Sequence, residues 1–313
     1  MLLCFQKGSV FDGICSENKN LAKNYRRLTA LDGLTLNVPK GSIYGFVGRN
    51  GAGKTTLIRV ICGLQNPTGG SYSLYGIDGK SGAITKSRRR MGAVVETPAI
   101  YTGLSARDNL KQQFRVLGLP SFDGIDELLR IVGLADTGKK KAGNFSLGMR
   151  QRLGIAVALC GNPDFLILDE PINGLDPQGI VEIRELILKL NRERQITVLI
   201  SSHILDELSK LATHYGFIDR GRIVREMSAE ELEAACRKCV RITVSDTEKL
   251  ATVLDGMNLE YKIIDEKTAD VFGKPTVTSL AAALYEKKCE LISMQEQDES
   301  LESFYISLVG CER

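Results

Sequence analysis

The chain has 313 residues, 43% hydrophobic and 25% charged, an ordinary globular balance with length for two domains or for one large domain with an appendix. Net charge is only +3, and the densest basic runs, Ser87-Arg88-Arg89-Arg90 and Lys139-Lys140-Lys141, are short solvated faces, which excludes the basic stripe of a nucleic-acid binder. No stretch approaches the ~18 apolar residues needed to span a bilayer, and Met1 to Gly8 lacks the basic start and apolar run of a signal peptide, so a cytoplasmic chain is expected. The eight cysteines are scattered. Cys62 and Cys160 stand in apolar surroundings, as reduced core thiols do. Cys236-Arg237-Lys238-Cys239 is one CxxC without a second pair or a neighbouring His, two ligands short of a zinc site.

Residues 1–13 have no clear period and read as an extension. From there to about Pro39 the chain alternates in places, as in Leu34-Thr35-Leu36-Asn37-Val38, which predicts half-buried strands. Gly41 to Val47 reads as a buried strand that enters a Gly-rich loop. A helix follows over Thr55 to Cys62, stopped by Gly63. Pro67-Thr68-Gly69-Gly70 is turn chemistry. Residues 105–134 carry helical spacing, with Leu104, Leu110, Phe114 and Leu117 on one side and then Ile125, Leu128, Leu129 and Val132. Met149 to Leu159 is a further helix. Phe165-Leu166-Ile167-Leu168 and Ile196 to Ile200 are continuous apolar runs, expected of strands buried on both faces, with a helix over Glu182 to Leu190 between them. This alternation predicts an α/β domain with a largely parallel core sheet. After about residue 228 the pattern changes. A helix start at Ser228-Ala229-Glu230-Glu231 precedes short strands at Val240 to Val244, Tyr261 to Ile264 and Ala269 to Phe272. Helices over Glu248 to Leu254 and Ser279 to Lys287 complete a small α+β appendix.

Gly48-Arg49-Asn50-Gly51-Ala52-Gly53-Lys54-Thr55 fits GxxxxGK[ST], with Thr56 next on the helix. Glycines let such a loop turn its N–H groups inward beneath the positive helix N-terminus, and phosphate oxygens sit there. Lys54 can reach the β/γ-phosphates and Thr55 can ligate Mg²⁺. The strand Phe165 to Leu168 ends in Asp169-Glu170. Two carboxylates closing a buried strand are costly unless they have a task. Asp169 can hold Mg²⁺, and Glu170 can polarise an attacking water. A strand that merely ends in acidic residues at the surface is the bland alternative, and the phosphate loop weighs against it. These residues alone specify a P-loop NTPase.

Asn144-Phe145-Ser146-Leu147-Gly148-Met149-Arg150-Gln151-Arg152 resembles the ABC ATPase signature, usually written LSGGQxQR. Ser146, Gly148, Gln151 and Arg152 match, whereas Leu147 and Met149 depart from it. Gly174-Leu175-Asp176-Pro177 resembles the D-loop, and Ser201-Ser202-His203 the switch histidine. Tyr25 stands where that family places an adenine-stacking aromatic. Each has a structural reading as well: Ser146 as a helix cap, Asp176-Pro177 as a turn, His203 as a loop histidine, Tyr25 as a surface aromatic. In one chain, in the family's order over residues 14–225, they are jointly similar to ABC ATPases. Val94-Val95-Glu96-Thr97-Pro98-Ala99-Ile100-Tyr101, the Leu147/Met149 variant and the ending Ser300 to Tyr305 resemble the subunits of bacitracin- and lantibiotic-type peptide exporters. There a glutamate is usual at Glu96, where most ABC ATPases have a glutamine.

The resemblance implies an ABC ATPase domain over 14–235, with an antiparallel β subdomain, a helical subdomain at about 88–150 that touches transmembrane subunits, and an accessory domain at 236–313. It further implies ATP and Mg²⁺ as cofactors, with Thr55, Glu96 and Asp169 at the metal. Glu170, His203 and Glu96 would be catalytic. The working unit would be a homodimer in which Ser146, Leu147, Gly148 and Met149 face the partner copy's ATP and Asp176 couples the two sites. Separate permease subunits and a peripheral place on the inner face of the membrane follow from it. A ribosome-bound or DNA-repair ABC ATPase fits less well. The former usually has two cassettes in one chain, and the latter a long coiled coil where Lys54 and Ser146 here stand too close. A regulator that no longer hydrolyses ATP conflicts with the retention of Lys54, Asp169, Glu170 and His203.

Overall fold

The computed structural model describes residues 13–26, 28–235, 239–273, 275–297, 304, 305 and 308, in two compact units that divide after Ala229. The extension expected at 1–13, except Gly13, lies outside the described residues, as do Cys236 of the CxxC pair and Ser300 to Ser303. Cys239 is buried. The boundary expected after residue 235 compares with a division after Ala229.

In the first unit, β1 (Ile14–Tyr25) and β2 (Leu28–Pro39) pair antiparallel. Leu34, Leu36 and Val38 point inward while Thr35 is exposed, as the alternation requires. β3 (Ile43–Val47) is buried at all five positions and leads to α1 (Lys54–Ile61). β4 (Gly69–Leu74) and β5 (Ile77–Asp78) complete a four-stranded antiparallel sheet of order β2-β1-β4-β5. Gly69 and Gly70 thus open a strand, whereas a turn was expected. Gly70 has φ +72°, and a Cβ there would lie 2.1 Å from the Asn20 carbonyl oxygen, so the glycine marks close strand approach.

The chain continues through α2 (Ile84–Arg88), β6 (Met91–Val94), α3 (Ala106–Val116), α4 (Ile125–Ile131) and α5 (Leu147–Leu159). Then come β7 (Phe165–Asp169), α6 (Pro177–Arg194), β8 (Thr197–Ser202), α7 (Leu205–Ser209), β9 (His214–Asp219) and β10 (Arg222–Ser228). Leu117, expected on the apolar side of α3, caps its C-terminus and is exposed. The six-stranded sheet has the order β10-β9-β3-β8-β7-β6. All its pairs are parallel except β9 with β10. β7 and β8 are buried along their whole length, which is why they read as unbroken apolar runs. The inner face of α1, with Leu57, Ile58 and Ile61, joins Leu34 and Leu36 of β2 and Phe46 and Ile167 of the central sheet in one core.

The second unit holds α8 (Ala229–Ala235), β11 (Cys239–Val244), α9 (Thr247–Gly256), β12 (Glu260–Ile263), β13 (Thr268–Phe272), α10 (Val277–Glu286) and β14 (Leu291–Gln297). Its antiparallel sheet runs β12-β13-β11-β14. With a helix between β11 and β12 and another between β13 and β14, this is the split βαββαβ plan. Val240, Ile242 and Val244 pack with Leu250 and Leu254 of α9 and Leu280 and Leu284 of α10.

Candidate functional site

Because β3, β8, β7 and β6 are parallel, their carboxyl ends share one edge of the sheet. Val47 pairs with Ser202, Ser201 with Asp169, and Leu168 with Val94. In open α/β sheets this edge is where ligands bind. Gly48, Glu170, His203 and Glu96 all follow it closely in sequence.

The loop after β3 folds over the start of α1. Lys54 is buried, and its Nζ donates to the carbonyls of Gly48 at 2.6 Å and Arg49 at 3.3 Å, which curls the loop back on its own lysine. Gly53 sits at the N-cap with φ 112°, and a Cβ would stand 2.5 Å from the Ala30 carbonyl oxygen. α1 has no side-chain cap and no acidic residue in its first turn, so its first N–H groups remain for an anion. Gly53→Ala is therefore expected to cost about 1–3 kcal/mol through backbone strain. Urea denaturation measures this; an unchanged midpoint would mean that the loop relaxes at no cost.

An open cleft of ≈ 320 Å³ lies over the loop. Arg49, Asn50, Gly51, Gly53, Lys54, Thr55 and Thr56 line it from the loop and α1. Tyr25, Leu28, Thr29 and Ala30 close it from the β1–β2 hairpin, and Glu170 and Asn173 from the segment after β7. Gly48 and Ala52 support the loop from outside the lining. Tyr25 is 37% exposed, and its hydroxyl hydrogen-bonds to Gln65 Oε1 beyond α1.

Glu170 has the rare φ of +50°, held by its N–H donating to Ser201 Oγ at 3.0 Å and to the Ser201 carbonyl at 3.2 Å. Its Oε1 lies 3.1 Å from Lys54 Nζ, and its Oε2 lies 2.7 Å from His203 Nδ1. The carboxylate is thus gripped from both sides. Asp169 is 1% exposed; its Oδ1 accepts from Ser201 Oγ at 2.6 Å. Its Oδ2 is buried with no hydrogen-bond partner among the described residues. A buried carboxylate oxygen left open in the residue before Glu170, together with the Thr55 hydroxyl in the cleft, is the all-oxygen chemistry that suits Mg²⁺, which keeps most of its waters and uses one or two protein ligands. No cluster of three or more His, Cys, Asp or Glu suited to a metal occurs among the described residues.

Glu96 follows β6 with φ +59° and lies outside the cleft lining; its Oε1 meets Arg59 Nη2 at 2.5 Å. The signature residues also lie outside this cleft. Ser146 caps α5, its Oγ accepting from the Met149 N–H at 3.2 Å; it and Leu147 are exposed, and Gly148 and Met149 are half-buried. Behind them Gln151 is buried and donates to the Pro171 carbonyl at 3.1 Å. Arg152 bonds the carbonyls of Val132 and Gly133 at 3.2 Å and pairs with Glu182. Asp176 caps α6, accepting from the Gly179 N–H at 3.2 Å. Burial raises the Cys62 and Cys160 thiols to about 12, which keeps them as inert core thiols.

Sequence reasoning missed Asn173, Gln65 and Arg59, and it named Ser201 only as a neighbour of His203. Ser201 had a signal, since two serines ending a strand buried on both faces must find partners. The others are fixed only by the fold.

The family model described as ABC transporter matches residues 31–173. "Bacitracin transport ATP-binding protein BcrA" of Bacillus licheniformis is 41% identical over 299 residues, covering 93% of this chain and 96% of its own. "Lantibiotic transport ATP-binding protein SrtF" of Streptococcus pyogenes is 44% identical over 208 residues, 66% of this chain and 88% of its own. Among solved structures, the ATP-binding cassette MJ0796, in a dimeric post-hydrolysis state bound to ADP and Pi, matches with a TM-score of 0.62 and 26% identity over 68% of this chain and 98% of that one.

Proposed function

The chain belongs to the ABC transporter ATP-binding proteins, and from that premise we propose that it is the ATP-hydrolysing motor of an exporter whose membrane-spanning part is a separate protein. The cargo proposed is a peptide antibiotic or a related compound, as the names of the bacitracin and lantibiotic relatives suggest. No helix among the described residues is long and apolar enough to cross a membrane, so the chain is proposed to sit on the inner face of the membrane against its permease.

The observation that carries the reading is the line Lys54–Glu170–His203 at the edge of the phosphate loop. ATP would lay its phosphates on the loop N–H groups and its adenine on Tyr25. Lys54 would exchange Glu170 for the β/γ-phosphates. The freed Glu170 Oε1 then accepts a hydrogen bond from the attacking water, while His203 fixes Oε2 and the γ-phosphate side of the site. Thr55 and Asp169 would hold Mg²⁺, with Glu96 reaching it from the loop after β6; the ion supplies positive charge to the phosphate oxygens. The exposure of Ser146 and Leu147 at the start of α5 supports a head-to-tail homodimer in which Ser146, Leu147, Gly148 and Met149 would face the partner copy's ATP, with Asp176 between the sites. That the similar cassette MJ0796 is dimeric when bound to ADP and Pi supports a dimer.

Membrane fractionation tests the partner. The chain is expected to sediment with membranes only when its permease is co-expressed, and full recovery in the supernatant in both cases would oppose the transporter reading.

A further inference from the structure

Glu96 raises a problem of charge. A full carboxylate sits in the loop beside the helix that carries the phosphate loop, and nucleotide brings several more negative charges to that helix. The residue also adopts φ +59°, a left-handed conformation that a side chain other than glycine keeps only when its surroundings hold it. Arg59 is the holder. Arg59 projects from α1 five residues beyond Lys54, about 7.5 Å along the helix axis, and its Nη2 meets Glu96 Oε1 at 2.5 Å. The far end of the loop is pinned separately, because Asn109 accepts from the Tyr101 N–H at 2.7 Å and donates to the Tyr101 carbonyl at 3.0 Å. Arg59 therefore grips the near end of a loop whose far end belongs to α3.

We propose that Arg59 is the positioning residue of Glu96: its guanidinium supplies the counter-charge that lets a carboxylate occupy this loop, and it ties the loop to the helix that bears the nucleotide phosphates. The proposal rests on the nucleotide-site reading above and deepens it. Both side chains are partly exposed, at 35% and 54%, so the pair contributes little to global stability. Its effect falls on the local field and on the loop. Without Arg59, the bare Glu96 carboxylate repels incoming nucleotide, and the repulsion is strongest at low salt. Converting Glu96 to its amide removes the charge and with it the need for Arg59.

Calorimetric titration of the full-length chain with ATP in the absence of Mg²⁺, where Glu96 has no metal to meet, tests this as a double-mutant cycle. Arg59→Gln is expected to weaken ATP binding about three- to fivefold at low salt and less at high salt. Arg59→Lys keeps the charge and stays within about twofold. Glu96→Gln sets its own baseline, and adding Arg59→Gln to it is expected to change that baseline by less than about twofold. Equal losses from Arg59→Gln in both backgrounds would overturn the proposal, since Arg59 would then be attracting nucleotide directly. Hydrogen exchange of the nucleotide-free chain gives a second reading: the amides of residues 95–97 should exchange about threefold faster in Arg59→Gln, and unchanged exchange would sink the tether. Failure of the wild-type chain to bind ATP would refute the nucleotide-site reading itself, and the exchange arm would still decide whether Arg59 holds the loop.

Discussion

Glu170→Gln is expected to bind ATP and to lose turnover by a factor of ~10²–10⁴, because the amide cannot accept a proton from the attacking water. The geometry adds a second expectation. Glu170 Oε1 lies 3.1 Å from Lys54 Nζ, so the carboxylate competes with phosphate for that ammonium. It also faces the side on which the γ-phosphate arrives. The amide removes both oppositions, so affinity should rise as turnover falls. His203 keeps an oxygen acceptor in the variant, so the ring's placement survives. Steady-state phosphate release and ATP titration are the measurements, with size-exclusion chromatography to detect an ATP-trapped dimer. Wild-type hydrolysis in Glu170→Gln would remove Glu170 from the mechanism.

Lys54→Ala is expected to abolish measurable hydrolysis and to weaken ATP binding sharply. Two losses combine here. The cation on the β/γ-phosphates goes, and so do the bonds from Nζ to the carbonyls of Gly48 and Arg49 that shape the loop. Glu170 then loses its ion pair with Lys54 and presents a less compensated carboxylate to the nucleotide. On this reasoning Lys54→Ala combined with Glu170→Gln should recover part of the lost affinity without recovering turnover. Calorimetry reads the affinity; wild-type ATP binding in Lys54→Ala would mean that the phosphate loop has been misread.

Much of this site was legible because its strands are extreme. β7 is buried at every position, so Asp169 and Glu170 had to stand out as charges at its end. The loop before α1 declares itself by glycines whose conformations other residues resist, as Gly53 illustrates. What stayed hidden depends on pairing between distant segments. Ser201 reaches Asp169 only because β8 lies beside β7 in a particular register, and Arg59 reaches Glu96 only because α1 lies near the loop after β6. β9 and β10 went unread because Gly216 interrupts the apolar run of β9 and only Met227 of β10 is buried, so neither carries a clean period. The second unit was read as α+β, but its strand order follows from which edges pair, and alternation within a strand carries no such information. Pro67 to Gly70 misled because a glycine required for close strand approach looks the same in sequence as one required for a turn.

The central claim is that ATP hydrolysis at Glu170 powers movement of a compound through a separate membrane protein. The most direct measurement places the chain, with the membrane protein that co-purifies with it, in proteoliposomes and follows phosphate release and peptide-antibiotic movement together. The account predicts that both occur with ATP and that Glu170→Gln abolishes both while ATP stays bound. Transport that persists in Glu170→Gln, or hydrolysis by a chain that retains no membrane protein under any condition of co-expression, would contradict it.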